Sequence, residues 1–199
     1  MSDTLSYTIG QNLYLNITDR CTLVCEFCPK TLGNHQVHEY DLTLRQRPGY
    51  DEIVAAIGDP KQYEEIVFCG FGEPTLRFKI LLQVAAYIKE NGGKVRLNTD
   101  GLACLVNKRD VLPEMQGLID AVSVSMNTQN EELYIRHCAP QLKGAWSAML
   151  DFLDRAPAYI PDVTATAIDG LEGVDIQACE SLASQRGVKF RARQLDIVG

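Results

Sequence analysis

The chain has 199 residues, 46% hydrophobic and 23% charged, a composition that fits one folded domain burying about 70% of the surface its unfolded form exposes. Its net charge of −7 gives no long-range pull toward nucleic acid or anionic membranes, which disfavours a non-specific polyanion binder. The opening segment MSDTLSYTIGQN lacks a basic patch followed by an apolar core, and no apolar run approaches the ~20 residues that span a bilayer. The expectation is therefore a cytoplasmic protein with one domain over 1–199.

In chain order, the first β-type run is NLYLNIT (12–18), followed at once by Cys21, Cys25 and Cys28. A connection over 29–49 then exceeds the ~12–15 residues expected of a structureless loop, so it reads as a lid, with His35 and His38 in it. The second run, EIVFCG (65–70), leads into GFGEPTL from Gly70. Ile80, Leu81, Val84, Ala85 and Ile88 recur at helical spacing, and NGG (91–93) stops that helix. KVRLNTD (94–100) and DAVSVSMN (120–127) are the third and fourth runs. Trp146, Met149, Leu150 and Leu153 mark a helix before DVTATAI (162–168). Ile176, Cys179, Leu182 and Ala183 mark another before VKFRARQL (188–195).

Strands alternating with helices imply a parallel sheet with right-handed crossovers. Parallel strands covered by helices on both sides should be apolar throughout. Several here alternate instead. Arg96, Asn98 and Asp100 share one face, as do Ser123, Ser125 and Asn127, then Thr164 and Thr166, then Lys189, Arg191 and Arg193, and less cleanly Tyr14, Asn16 and Thr18. One side of the sheet meets helices and the other meets something polar. A curled, open (β/α)6 barrel of the TIM type, with a polar lumen, satisfies that pattern, and a flat doubly wound sheet does not.

Seven cysteines in a chain that needs no disulfide staples fit reduced thiols and a bound metal. Structural zinc and ordinary [4Fe–4S] sites take four protein ligands, so three thiolates after a strand leave one coordination position open. The plainer readings are a Cys3His zinc site completed by His35, or clustered free thiols. Cys69 and Cys179 read as core residues. Cys104 lies past the third strand near the mouth and is a candidate functional thiol.

CxxxCxxC with Phe27 before the last cysteine resembles the signature of the radical S-adenosylmethionine (SAM) superfamily. GFGEP resembles that family's glycine-rich GGEP motif, with Phe71 in place of one glycine. The resemblance implies a [4Fe–4S] cluster held by Cys21, Cys25 and Cys28, and SAM chelating the open iron. It implies SAM contacts from Phe27, Gly70, Phe71, Gly72 and Glu73, from Asn98 and Asp100, and from Ser123, Ser125 and Asn127. It also implies reductive cleavage of SAM by way of a flavodoxin- or ferredoxin-type donor, giving a 5′-deoxyadenosyl radical that abstracts hydrogen from an unidentified substrate. His35, Arg191 and Arg193 are candidate substrate or SAM contacts, the arginines suited to a carboxylate or phosphate. Their plain alternative is pairing with lumen acids such as Asp100.

Among short members, LYLNITDRCTLVCEFC, GFGEPTLR and the closing segment look most like the compact group associated with TatD-type nucleases. No second cysteine cluster follows, which disfavours auxiliary-cluster maturases. Alternative functions are an activase that forms a glycyl radical on a partner protein, and a non-catalytic iron–sulfur or zinc protein.

Overall fold

A computed structural model of the chain describes residues 3–195. Strands β1 (Ser6–Ile9) and β2 (Asn12–Leu15) form an antiparallel hairpin, pairing Ile9 with Asn12. Gly10 takes φ +60 in the two-residue turn between them, a backbone state that glycine adopts without a Cβ penalty. The alternation in SYTIGQNLYL carried this hairpin, but only its second strand was expected.

The long connection after Cys28 has structure of its own. β3 (Gln36–Val37) and β4 (Tyr40–Asp41) pair antiparallel, and Val37 and Leu42 bury themselves with Tyr7 in a small separate cluster edged by Tyr14, Tyr40 and Phe71. Helix α1 (Tyr50–Ile57) follows, then β5 (Ile66–Phe68), α2 (Phe78–Glu90) and β6 (Val95–Thr99). The short helices α3 (Ala103–Asn107) and α4 (Leu112–Met115) lead to β7 (Ala121–Asn127), and α5 (Glu131–Cys138) and α6 (Ala145–Arg155) to β8 (Asp162–Asp169). Helix α7 (Ile176–Gln185) and β9 (Lys189–Gln194) complete the described chain.

The sheet order is β1-β2-β5-β6-β7-β8-β9, and every pair after the first is parallel. Each parallel neighbour is the next in sequence. A doubly wound sheet reverses its strand order at a switch point, and this one never does. The result is an open run of six parallel strands joined by five helical crossovers, the partial barrel expected.

The two faces of the sheet differ as the alternation implied. Leu13, Leu15, Ile66, Phe68, Val95, Leu97, Val122, Val124, Val163 and Ala165 turn outward into one continuous core under the helices. Helix α2 buries Phe78, Leu81, Val84, Ala85 and Ile88 there, and each large apolar side chain contributes roughly 1.5–3 kcal/mol. The opposite face carries Tyr14, Asn98, Ser123, Ser125 and Thr166, and it is not wholly polar: Val67 and Cys69 follow the same alternation along β5. Cys69, expected in the core, is a lumen residue. Cys179 is fully buried, as expected. No helix among the described residues is long and apolar enough to cross a membrane.

Candidate functional site

The three expected cluster cysteines sit in the loop directly after β2, at the carboxyl end of the sheet. All three are free and half-buried. Cys28 N–H donates to Cys25 O at 3.1 Å, which turns the backbone between them. Burial pushes the Cys21 thiol up to about 12. The Cys25 thiol is also raised, first by a hydrogen bond with Cys138, then by burial and by Cys21 and Cys28. Thiols held this way stay protonated until a metal displaces the proton.

Two features hold the loop in place, and neither is visible in the spacing. Val24 N–H donates to Cys138 O at 3.0 Å, Glu26 N–H to His137 O at 3.0 Å, and Gln141 N–H to Thr22 O at 2.9 Å, so the end of α5 is stitched along the cysteine loop. His137, 1% exposed, bonds Glu26 Oε1 through Nδ1 at 2.5 Å and donates from Nε2 to Glu172 O at 2.9 Å. Cys138, spread far from the trio in sequence, packs beside Cys25 and receives Asn127 Nδ2–H at 3.4 Å.

The GFGEP segment lies against the same loop. A Cβ on Gly72 would stand 2.2 Å from Thr18 O and 2.7 Å from Arg20 O. Only glycine lets the two backbones approach so closely. A Cβ on Gly70 would stand 2.6 Å from Asn16 Oδ1, an atom that is buried with no hydrogen-bond partner. Phe71 turns away toward the hairpin segment, where His35 meets it edge-on at 6.1 Å. Phe27 packs on the edge of the main core.

Glu73 and Asp100, expected to contact SAM, also have partners within the protein. Both are almost fully buried, 3% and 5% exposed, and both carboxylates are occupied by the protein itself. Glu73 Oε1 accepts from Thr75 N, Thr75 Oγ1 and Thr99 Oγ1 at 2.9, 2.6 and 2.8 Å, and Oε2 accepts from Asp100 N at 2.8 Å. Asp100 accepts from Thr22 Oγ1 at 2.5 Å and from Leu102 N at 2.9 Å. Strand β6 ends at Thr99, so the alternation that pointed Asp100 at the lumen stops one residue short. These acids clasp the three loops together, with Glu73 Oε2 and each Asp100 oxygen accepting a single bond. Burial, then the neighbouring Asp100, pushes Glu73 up to about 8.

Asn98 does face the lumen, hydrogen-bonded to Cys69, and its Oδ1 is buried without a partner. Ser123 lies level with Asn98 in register and in contact with Arg96 Nη1 at 3.5 Å. Ser125 is nearer the mouth. A bulge between Ser125 and Asn127, with Asn127 at φ +64, re-aims the Asn127 side chain toward Cys138 and Arg193. Cys104 lies on α3, its thiol beside Asp110 at 3.7 Å and packed against the main core. Among the described residues no three His, Cys, Asp or Glu side chains converge as a single metal ion requires.

A family model described as "Radical SAM superfamily" matches residues 15–185. The chain belongs to the radical SAM superfamily. The family's cofactors are a [4Fe–4S] cluster and SAM, and the residues present suit both. Three free cysteines close together have the chemistry of a cluster donor set, and an orphaned acceptor, Asn16 Oδ1, stands beside Gly70, where a Cβ has no room.

A GTP 3′,8-cyclase of Corynebacterium glutamicum (strain R) is 27% identical over 188 residues, covering 92% of this chain and 48% of that protein. A tungsten-containing aldehyde ferredoxin oxidoreductase cofactor-modifying protein of Pyrococcus furiosus is 30% identical over 118 residues, 58% of this chain and 30% of that protein. The chain thus spans less than half the length of these curated relatives. Among solved radical SAM structures, TYW1 with a lysine-pyruvate adduct bound gives a TM-score of 0.66 at 15% identity over 94% of this chain and 66% of that one. Streptococcus suis SuiB bound to S-adenosylmethionine gives 0.67 at 12% identity over 96% and 42%. At these identities the structures carry the fold alone. The matches support the superfamily and not the TatD-associated subgroup.

Proposed function

We propose that this single domain is a radical SAM enzyme acting on a substrate held in the open lumen, with Cys21, Cys25 and Cys28 as the cluster ligands. The observation that carries the reading is the junction of the three-cysteine loop with the GFGEP segment at the mouth of a polar-faced partial barrel. When bound and reduced by a flavodoxin- or ferredoxin-type donor, the cluster and SAM supply a 5′-deoxyadenosyl radical that takes a hydrogen atom from the substrate.

The chain's own residues supply binding, orientation and exclusion. Asn16 Oδ1 and the backbone carbonyls of 70–72 are acceptors suited to SAM's ammonium group. Ser125 and Asn127 suit its ribose and carboxylate. Glu73 and Asp100 act one step back, fixing the glycine segment to the cysteine loop and to the end of β6. The hairpin segment packs Val37 and Leu42 with Tyr7 of β1, an apolar flank suited to limiting water at that side of the lumen.

The test is anaerobic reconstitution with iron and sulfide, followed by dithionite and SAM. Slow formation of 5′-deoxyadenosine is expected. A fully loaded cluster that yields none sinks the reading.

A further inference from the structure

The lumen has a second wall, formed by β9 and bordering the cysteine loop and the end of β7. Arg191 and Arg193 stand on the lumen face of β9, in register with Thr166 and Ile168 of β8. Neither belongs to any of the ion pairs found among the described residues. Asp100, the acid expected to pair with them, is committed to Thr22 and the backbone of Leu102.

Arg193 makes one long hydrogen bond, from Nη2 to Asn127 Oδ1 at 3.5 Å, and its Nε is buried with no partner. The groups around it are Cys69, Arg191 and Cys25. Burial raises the Cys69 thiol, so Cys69 offers no anion in return. A guanidinium stays charged throughout the accessible pH range. Among the described residues this guanidinium has no carboxylate partner, and a partly buried cation of that kind is completed by an anionic ligand. Across the floor, Asn98 Oδ1 is an equally orphaned acceptor, and Tyr7 and Tyr14 stack 5.3 Å apart as a flat flank.

We infer that Arg193, with Arg191 beside it, binds a carboxylate or phosphate of the lumen substrate, while Asn98 Oδ1 accepts a hydrogen bond from a neighbouring N–H or O–H of the same molecule. The inference rests on the lumen being the reaction chamber and gives that chamber a substrate class. The chain as a whole is acidic, so a cationic wall inside it also draws an anion selectively into the lumen.

The experiment uses cluster-loaded protein and calorimetric titration with inorganic phosphate and with malonate, ionic strength being held constant with chloride. Saturable binding of at least one probe is expected, and the preferred probe separates phosphate from carboxylate chemistry. Arg193→Gln should weaken that binding by about tenfold or more, as loss of a charge-assisted hydrogen bond does, and Arg193→Lys should retain most of it. No saturable binding to the unaltered protein, or equal binding by R193Q, overturns the inference. So does loss of SAM binding in parallel with the probe, which would assign the guanidinium to SAM's own carboxylate. Formation of 5′-deoxyadenosine by the unaltered protein is read separately: its absence with intact phosphate or malonate binding defeats the radical reading and leaves the anion site standing.

Discussion

The Asp100 backbone N–H donates to Glu73 Oε2 at 2.8 Å, and the Asp100 carboxylate then accepts Thr22 Oγ1–H at 2.5 Å. Two adjacent buried acids thereby tie the glycine segment and the end of β6 to the cysteine loop. Two carboxylates this close cannot both ionise cheaply, so the pair holds a proton near neutral pH.

Stability should reflect that proton. Glu73 is raised from 4.5 to about 8, so the folded state binds a proton that the unfolded chain releases. The stabilising contribution is complete below pH about 4.5 and is lost as pH rises through about 8. Glu73→Gln keeps the neutral form's shape and should flatten this dependence. Thermal midpoints of both proteins at pH 5.5 and 8 test it. An identical change in the two would show that this pair is not the proton's site.

Cluster loading should distinguish ligand from bystander thiols. Cys25→Ala is expected to abolish it, whereas Cys179→Ala, at a position fully buried in the helix-side core, should load iron normally. Iron and sulfide content after reconstitution decides this, and equal iron in both variants means the wrong ligands were chosen.

Gly72 has no room for a side chain. A Cβ there would meet the Thr18 carbonyl at 2.2 Å, so Gly72→Ala must push two loop backbones apart and should cost more than about 2 kcal/mol. Gly10 also has positive φ but open space around it, and Gly10→Ala should cost only about 1–2 kcal/mol from backbone strain. Urea unfolding of the two variants gives the comparison. A Gly72→Ala protein as stable as Gly10→Ala would contradict the contact.

His137→Ala removes both links that the buried ring makes, to Glu26 and to Glu172 O. A loss of about 1–3 kcal/mol is expected. Hydrogen exchange in residues 22–28 should also quicken, since the stitching from the end of α5 loosens. Unchanged exchange there would mean that the backbone bonds alone hold the cysteine loop.

The sequence by itself determined which residues could form a sheet and which side of it would be polar. Period-two alternation is local, and Val122–Val124–Met126 against Ser123–Ser125 can be read without knowing any partner strand. The cysteine loop and GFGEP were legible for the same reason: each is a contiguous run whose chemistry depends on short spacing. What the tertiary structure decided was where each polar side chain spends its hydrogen bonds. Nothing local says that Thr99 and the Asp100 amide meet Glu73, or that Thr22 meets Asp100. Cys69 moved from core to lumen, and Cys138 came to lie beside Cys25, through contacts between elements far apart in the chain. Alternation assigns a side chain to a face, whereas burial and pairing depend on what the fold brings to that face.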